Sequence, residues 1–287
     1  MKRDLSCLFD HCLAEINRYT NLLVRICEPL SDLKKSKARI ELDKICERLP
    51  AQGKSQVAKL ISVASVPLSG KRAEVEKNVR KICKEELSLP EKTKAGIEKH
   101  LTTVCEPLSG PEKSEIYESF VLKICVTWEI FVEGLLALCL SENATRYSEY
   151  MGAKLPKRPS KEMCAILISG YRYLDFRSIS ELQRISKNIL VDEYNRFPRI
   201  PKSNSATIDE FFQIRNYVAH RSQAARRSLF RVYQTVYNIQ RFQEPGVFLL
   251  SPLHGQTNEI RFGQYIRAFI NAAKTMAIHL KVYENKQ

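Results

Sequence analysis

Through the first hundred positions a proline arrives about every 20 residues: Pro29, Pro50, Pro67, Pro90 and Pro107. Proline has no backbone N–H and clashes with the turn before it, so each one closes a helix, and a nearby Ser, Gly or Glu opens the next. Three strings repeat weakly around these breaks: Cys27-Glu28-Pro29-Leu30-Ser31, Val66-Pro67-Leu68-Ser69-Gly70 and Cys105-Glu106-Pro107-Leu108-Ser109-Gly110. They lie 38 and 40 residues apart, with Leu49-Pro50 and Leu89-Pro90 between them. A period near 40 made of two short helices suits a stacked helical repeat. The fold class expected is all-α, with a helical-repeat arm over residues 1–108 followed by a helical bundle over residues 109–287.

Apolar spacing places helices at about 4–26, 32–48, 53–64, 70–87 and 91–104 in the arm. Beyond it the same spacing gives 111–142, 160–170, 176–195, 207–222, 223–242 and 261–283. Residues 154–160 and 197–204 read as basic, proline-containing loops. Residues 245–255 read as a turn-rich linker, in which Val247-Phe248-Leu249-Leu250 is too short for a strand. No sheet is evident. The most apolar stretch, Phe120–Leu140, carries Lys123, Glu129 and Glu133. A membrane span would bury those charges at considerable cost, so a core helix is expected and no membrane partner.

A hydrophobic content of 44% with 27% charged residues describes a globular chain long enough for one large or two ordinary domains. The net charge of +14 favours polyanionic partners. It is spread along the chain, +6 over residues 1–110 and +8 over the rest. A sharper cluster runs from Arg199 to Arg241, where Arg199, Lys202, Arg215, Arg221, Arg226, Arg227, Arg231 and Arg241 face only Asp209 and Glu210. The nine cysteines form no C-x-x-C and no Cys/His pair with zinc-ligand spacing. They read as reduced core residues of a cytoplasmic protein, with no metal and no cofactor expected. Gly53-Lys54-Ser55 ends like a phosphate-binding loop, but the glycine needed five residues earlier is Arg48.

Function concentrates in Phe211-Phe212-Gln213-Ile214-Arg215-Asn216-Tyr217-Val218-Ala219-His220-Arg221-Ser222. Phe211, Phe212, Ile214 and Val218 read as the buried face of a helix. Asn216 and His220 are four apart and adjacent on it; Arg215 and His220 are five apart, about 140° around the axis. An arginine, an amide and a histidine suffice to cut RNA without a metal. The arginine stabilises a phosphorane-like charge, the histidine moves a proton, and the amide orients the histidine or a phosphate oxygen. One helix presents Arg215 and His220 awkwardly, and two copies facing each other would do so better. Tyr217 either stacks on a base beside the scissile phosphate or packs in a dimer interface. Arg221, Arg226, Arg227 and Arg231 are the candidate contacts to the RNA backbone.

This string resembles the R-N-x-x-A-H helix of the HEPN superfamily, closely over about 12 residues and loosely, by helix order, over about 112–285. The resemblance implies an all-α bundle of four or five helices, usually dimeric, with the motif at the dimer cleft. In active members it implies a metal-independent endoribonuclease, of a kind found among toxins and phage-defence effectors. Arg215 falls on the motif arginine, Asn216 on the polar position after it and His220 on the motif histidine. Ser222 stands where toxins paired with a nucleotidyltransferase antitoxin often carry tyrosine. The expected partners are RNA, a second copy of the chain or a higher oligomer, and an antitoxin or defence-system protein. The alternative is a catalytically silent HEPN-like module that binds nucleic acid or assembles with a partner.

Overall fold

The computed structural model describes residues 2–51, 53–55, 57–58, 79–81, 83, 89–105, 108, 110–170, 178–253 and 259–277. Among them every regular element is helical; the only β-type pairing is an isolated bridge between Pro252 and Ile260. The helices are α1 (Lys2–Glu47), α2 (Glu91–Cys105), α3 (Gly110–Glu142), α4 (Thr145–Met151), α5 (Lys161–Gly170), α6 (Ile179–Ile189), α7 (Lys202–His220), α8 (Gln223–Tyr237), α9 (Pro245–Leu250) and α10 (Arg261–Ala277). A short 3₁₀ turn, Phe197–Arg199, precedes α7. The all-α expectation holds.

Several boundaries differ from those expected. α1 is one helix that runs through Pro29, where a break was expected. A proline there forfeits one backbone hydrogen bond, but the flanking turns continue, and the Ser31 hydroxyl donates to the Cys27 carbonyl at 2.6 Å. The supposed linker at 245–255 contains α9. Pro245 sits at its first turn, where its missing N–H costs nothing, and the segment buries Phe248 and Leu249. The motif helix begins at Lys202, five residues earlier than expected, and ends at His220. Lys54 lies in helical backbone with Gly53 and Ser55, so no phosphate-binding loop forms there. The expected helix at 70–87 and the repeat string at Val66–Gly70 lie mostly outside the described residues.

The chain divides into two units, and not at Gly110. One is contiguous, Asn21–Ile116; the other joins Met1–Thr20 to Tyr117–Gln287. In the contiguous unit Ala38 and Leu42 of α1 and Ile97, Leu101 and Val104 of α2 form a core with Val57, Val79 and Cys83. Those spacings of four and three put each set on one helical face. Ion pairs Lys34–Glu112 and Arg80–Glu98 (2.8 Å) lie at its surface.

In the discontinuous unit α3 is the central element. It is long and apolar enough to cross a membrane, yet Phe120, Ile124, Trp128, Phe131, Leu135 and Cys139 on it are buried in this unit's core. Trp128 meets Phe269 of α10 edge-on at 5.2 Å, and Phe269 in turn meets Phe211 of the motif helix at 5.3 Å. The start of α1 belongs to the same core. Leu5, Cys12 and Ile16 are buried, Tyr19 packs edge-on against Phe120 at 6.2 Å, and Asp4 pairs with Lys161 at 2.6 Å. Gly134 lets Leu8 approach so closely that a Cβ there would lie 2.9 Å from the leucine's δ1 carbon. These long-range contacts, invisible to local pattern, explain why the first twenty residues leave the arm. None of the cysteines with a described environment is in a disulfide, and Cys12, Cys83, Cys125, Cys139 and Cys164 are buried. Burial pushes the Cys12 thiol up to about 12.

Candidate functional site

α7 is held on three sides before it presents any chemistry. Ile208, Phe211, Phe212 and Ile214 are its buried face. Asp209 accepts a hydrogen bond from the Ile179 N–H at the start of α6, whose own cap is Ser178 accepting from Glu181 N–H at 3.0 Å. Glu210 accepts from the hydroxyls of Tyr237 (2.6 Å, α8) and Tyr265 (3.2 Å, α10), which also bond each other at 3.0 Å. Arg261 stacks over the Tyr237 ring at 4.2 Å. Burial pushes the Glu210 carboxyl above its ordinary 4.5, against the hydrogen bonds of both tyrosines; burial likewise raises Asp209. A carboxyl raised in the folded state contributes stability that is complete below the ordinary value and is lost as pH rises through the folded one. Glu210→Gln is therefore expected to flatten the loss of stability on going from about pH 4.5 towards neutrality, read as melting temperature against pH. An unchanged profile would show that Glu210 does not titrate in this range.

The helix stops between His220 and Ser222. Arg221 takes a left-handed conformation, φ 48°, as the C-cap of α7. Ser222 is the N-cap of α8, its hydroxyl accepting from Ala225 N–H at 3.2 Å. The serine at the tyrosine position thus has a structural task, starting the next helix.

The chemistry-bearing residues occupy the last two turns. The Arg215 guanidinium donates to the Asn216 side-chain oxygen at 3.3 Å and pairs with Glu129 of α3 at 3.5 Å. Its side chain is 27% exposed, reachable by a ligand yet anchored. Asn216 is half-buried, and its oxygen faces the arginine. His220 stands exposed at the tip of the helix and, among the described residues, its imidazole makes no hydrogen bond or ion pair. The structure therefore joins Arg215 to Asn216 and leaves His220 apart from that pair. Glu129 is the residue that sequence reasoning missed as a partner. Its signal was present: a carboxylate in the most apolar stretch of the chain asks for a cation.

Two of the expected RNA contacts turn out differently. Tyr217 is only 6% exposed, its ring edge-on to Phe242 at 5.3 Å and its hydroxyl bonded to Glu244 at 3.2 Å. Neither face is open to a base, so its role is packing. Arg221 is bound to Glu118 and, at 2.9 Å, to Glu244. It is an intramolecular clamp, with both carboxylates already occupying its guanidinium. The other candidates remain on the surface. Arg226 stacks over Phe242 at 4.4 Å with its charge exposed, while Arg227 and Arg231 are exposed and, among the described residues, unpaired.

No three His, Cys, Asp or Glu side chains come together as a metal cluster among the described residues. Comparison of the chain with family models, with curated proteins and with solved structures gave no match.

Proposed function

We propose that this chain is a metal-independent endoribonuclease of the HEPN type, acting as a dimer in a toxin or phage-defence setting. The observation that carries the reading is an exposed, unengaged His220 on the same helix end as an anchored, accessible Arg215. In the reaction the ribose 2′-oxygen attacks the adjacent phosphorus and the P–O5′ bond breaks. The 2′-OH proton goes to a base, and the departing 5′-oxygen takes one from an acid. His220 fills one of those roles, its copy on a second protomer the other, and Arg215 stabilises the charge on the phosphorane. Asn216 accepts from Arg215 at 3.3 Å, which fixes the plane of the guanidinium. The products are a 2′,3′-cyclic phosphate and a 5′-OH. The test is incubation of purified protein with mixed RNA in excess EDTA, followed by end-group analysis. Fragments with cyclic-phosphate ends support the reading; cleavage that appears only with added magnesium or manganese overturns it.

A second reading follows from the Glu129–Arg215 pair, which neutralises the motif arginine in the free protein. A silent binding module would retain such a pair for packing alone, and would bind RNA in that assay without cutting it.

In either reading Arg227 and Arg231 set affinity. Replacing both with glutamate is expected to weaken RNA binding and to lower the slope of log K against log salt by about one for each phosphate that the protein ceases to neutralise. An unchanged slope would make them a merely solvated face.

A further inference from the structure

Two arginines, Arg215 that opens the motif and Arg221 that follows it, are both held by α3. Glu129 takes the first and Glu118 the second. These carboxylates are eleven residues apart, three turns of helix, which brings them within about 20° of the same side of α3 and roughly 16 Å apart along it. Glu118 is buried, and its other oxygen accepts the Gly246 N–H at 3.1 Å. Glu244, on the second fork of Arg221, also accepts from Tyr217 and is the N-cap residue of α9. Arg221 thus ties the last residue of the motif helix to α3 and to α9 at once. It does so from a left-handed backbone that a side chain other than glycine rarely adopts and that must be held.

We propose that Arg221 is a positioning residue for His220: its two ion pairs, to Glu118 and Glu244, fix the helix end from which the imidazole projects. The inference rests on the reading of His220 as the proton-transfer group. His220 has no anchor of its own among the described residues, and its peptide neighbour supplies one. A lysine at this position would keep the charge but lose the fork that reaches two carboxylates at once.

The full chain contains five histidines, so their imidazole signals in a carbon–proton correlation spectrum can be assigned one by one, His220 by its loss in His220→Gln. Two variants are informative. Arg221→Gly removes both ion pairs while keeping the left-handed backbone accessible. Glu118→Gln leaves residues 219–223 chemically untouched and keeps an acceptor for Gly246. Both are expected to move or broaden the His220 signal alone. In RNA cleavage both should lower kcat by about tenfold or more with KM within about twofold, and Arg221→Lys should fall between them and the wild type. A His220 signal in Glu118→Gln that superimposes on the wild type overturns the proposal. So does a rise in KM with a reduced salt slope and unchanged kcat, which would make Arg221 an RNA contact. If the wild-type protein cuts no RNA, the ribonuclease reading falls, while a displaced His220 signal in both variants still supports the positional role.

Discussion

Alanine at His220 or at Arg215 is expected to reduce RNA cleavage by about 100-fold or more, the usual scale for losing a proton-transfer group or a charge aimed at the transition state. The two variants should differ in their cost to the fold. The His220 side chain is exposed and, among the described residues, has no hydrogen-bond or ion-pair partner, so its removal should leave the melting temperature nearly unchanged. Arg215→Ala leaves the Glu129 carboxylate without this cation beside the buried Cys125, but that carboxylate is 29% exposed and water reaches it. The expected loss is about 1 kcal/mol or less. Cleavage and thermal melting on the same samples separate the effects. Two variants that cut like the wild type would remove the site from this helix; a large collapse in stability would make the triplet structural.

A fragment of residues 109–287 is expected to lose most of its stability. The sequence suggested a separable bundle beginning near Gly110, but the fragment lacks the first twenty residues, which belong to the same unit as the motif. Removing them uncovers the surfaces against which Leu5, Cys12 and Ile16 are buried. At roughly 1.5–3 kcal/mol for each large apolar side chain, the loss is about 5 kcal/mol. That is comparable to the whole stability of a small domain, about 5–15 kcal/mol. Circular dichroism and light scattering on the fragment are the measurements. A monodisperse protein melting near the full chain would show that the start of α1 is dispensable.

What the sequence disclosed and what it hid follow one division. Features set by neighbours three or four residues away were legible: the helical class, the buried face of Phe211, Phe212 and Ile214, and the core character of the Phe120–Leu140 stretch appear as expected, while Val218, expected on the same face, is only half-buried. Features set by distant partners were not. Pro29 marks no helix end, because a proline removes only one hydrogen bond and its neighbours stay helical. Pro245 begins a helix that apolar content alone could not separate from a linker. At the candidate site the same holds. Arg215, Asn216 and His220 could be picked out as candidates from the string, and the basic residues Arg226, Arg227 and Arg231 lie exposed. Tyr217 and Arg221 could not be assigned, since Glu244 and Glu118 lie 27 and 103 residues away.

The placement of the first twenty residues also sets an order on how the protein is made. They are synthesised before Phe120, Gly134 and Lys161, which they pack against or pair with, and the 96 residues of Asn21–Ile116 come in between. At about 5–20 residues per second that is a wait of roughly 5–20 s. During it the contiguous unit has all of its own sequence available and can close first. The motif helix then waits for α10, whose Phe269 and Tyr265 complete the packing around Phe211. A nascent chain therefore carries Arg215 and His220 for some time before the partners that fix their helix have been made.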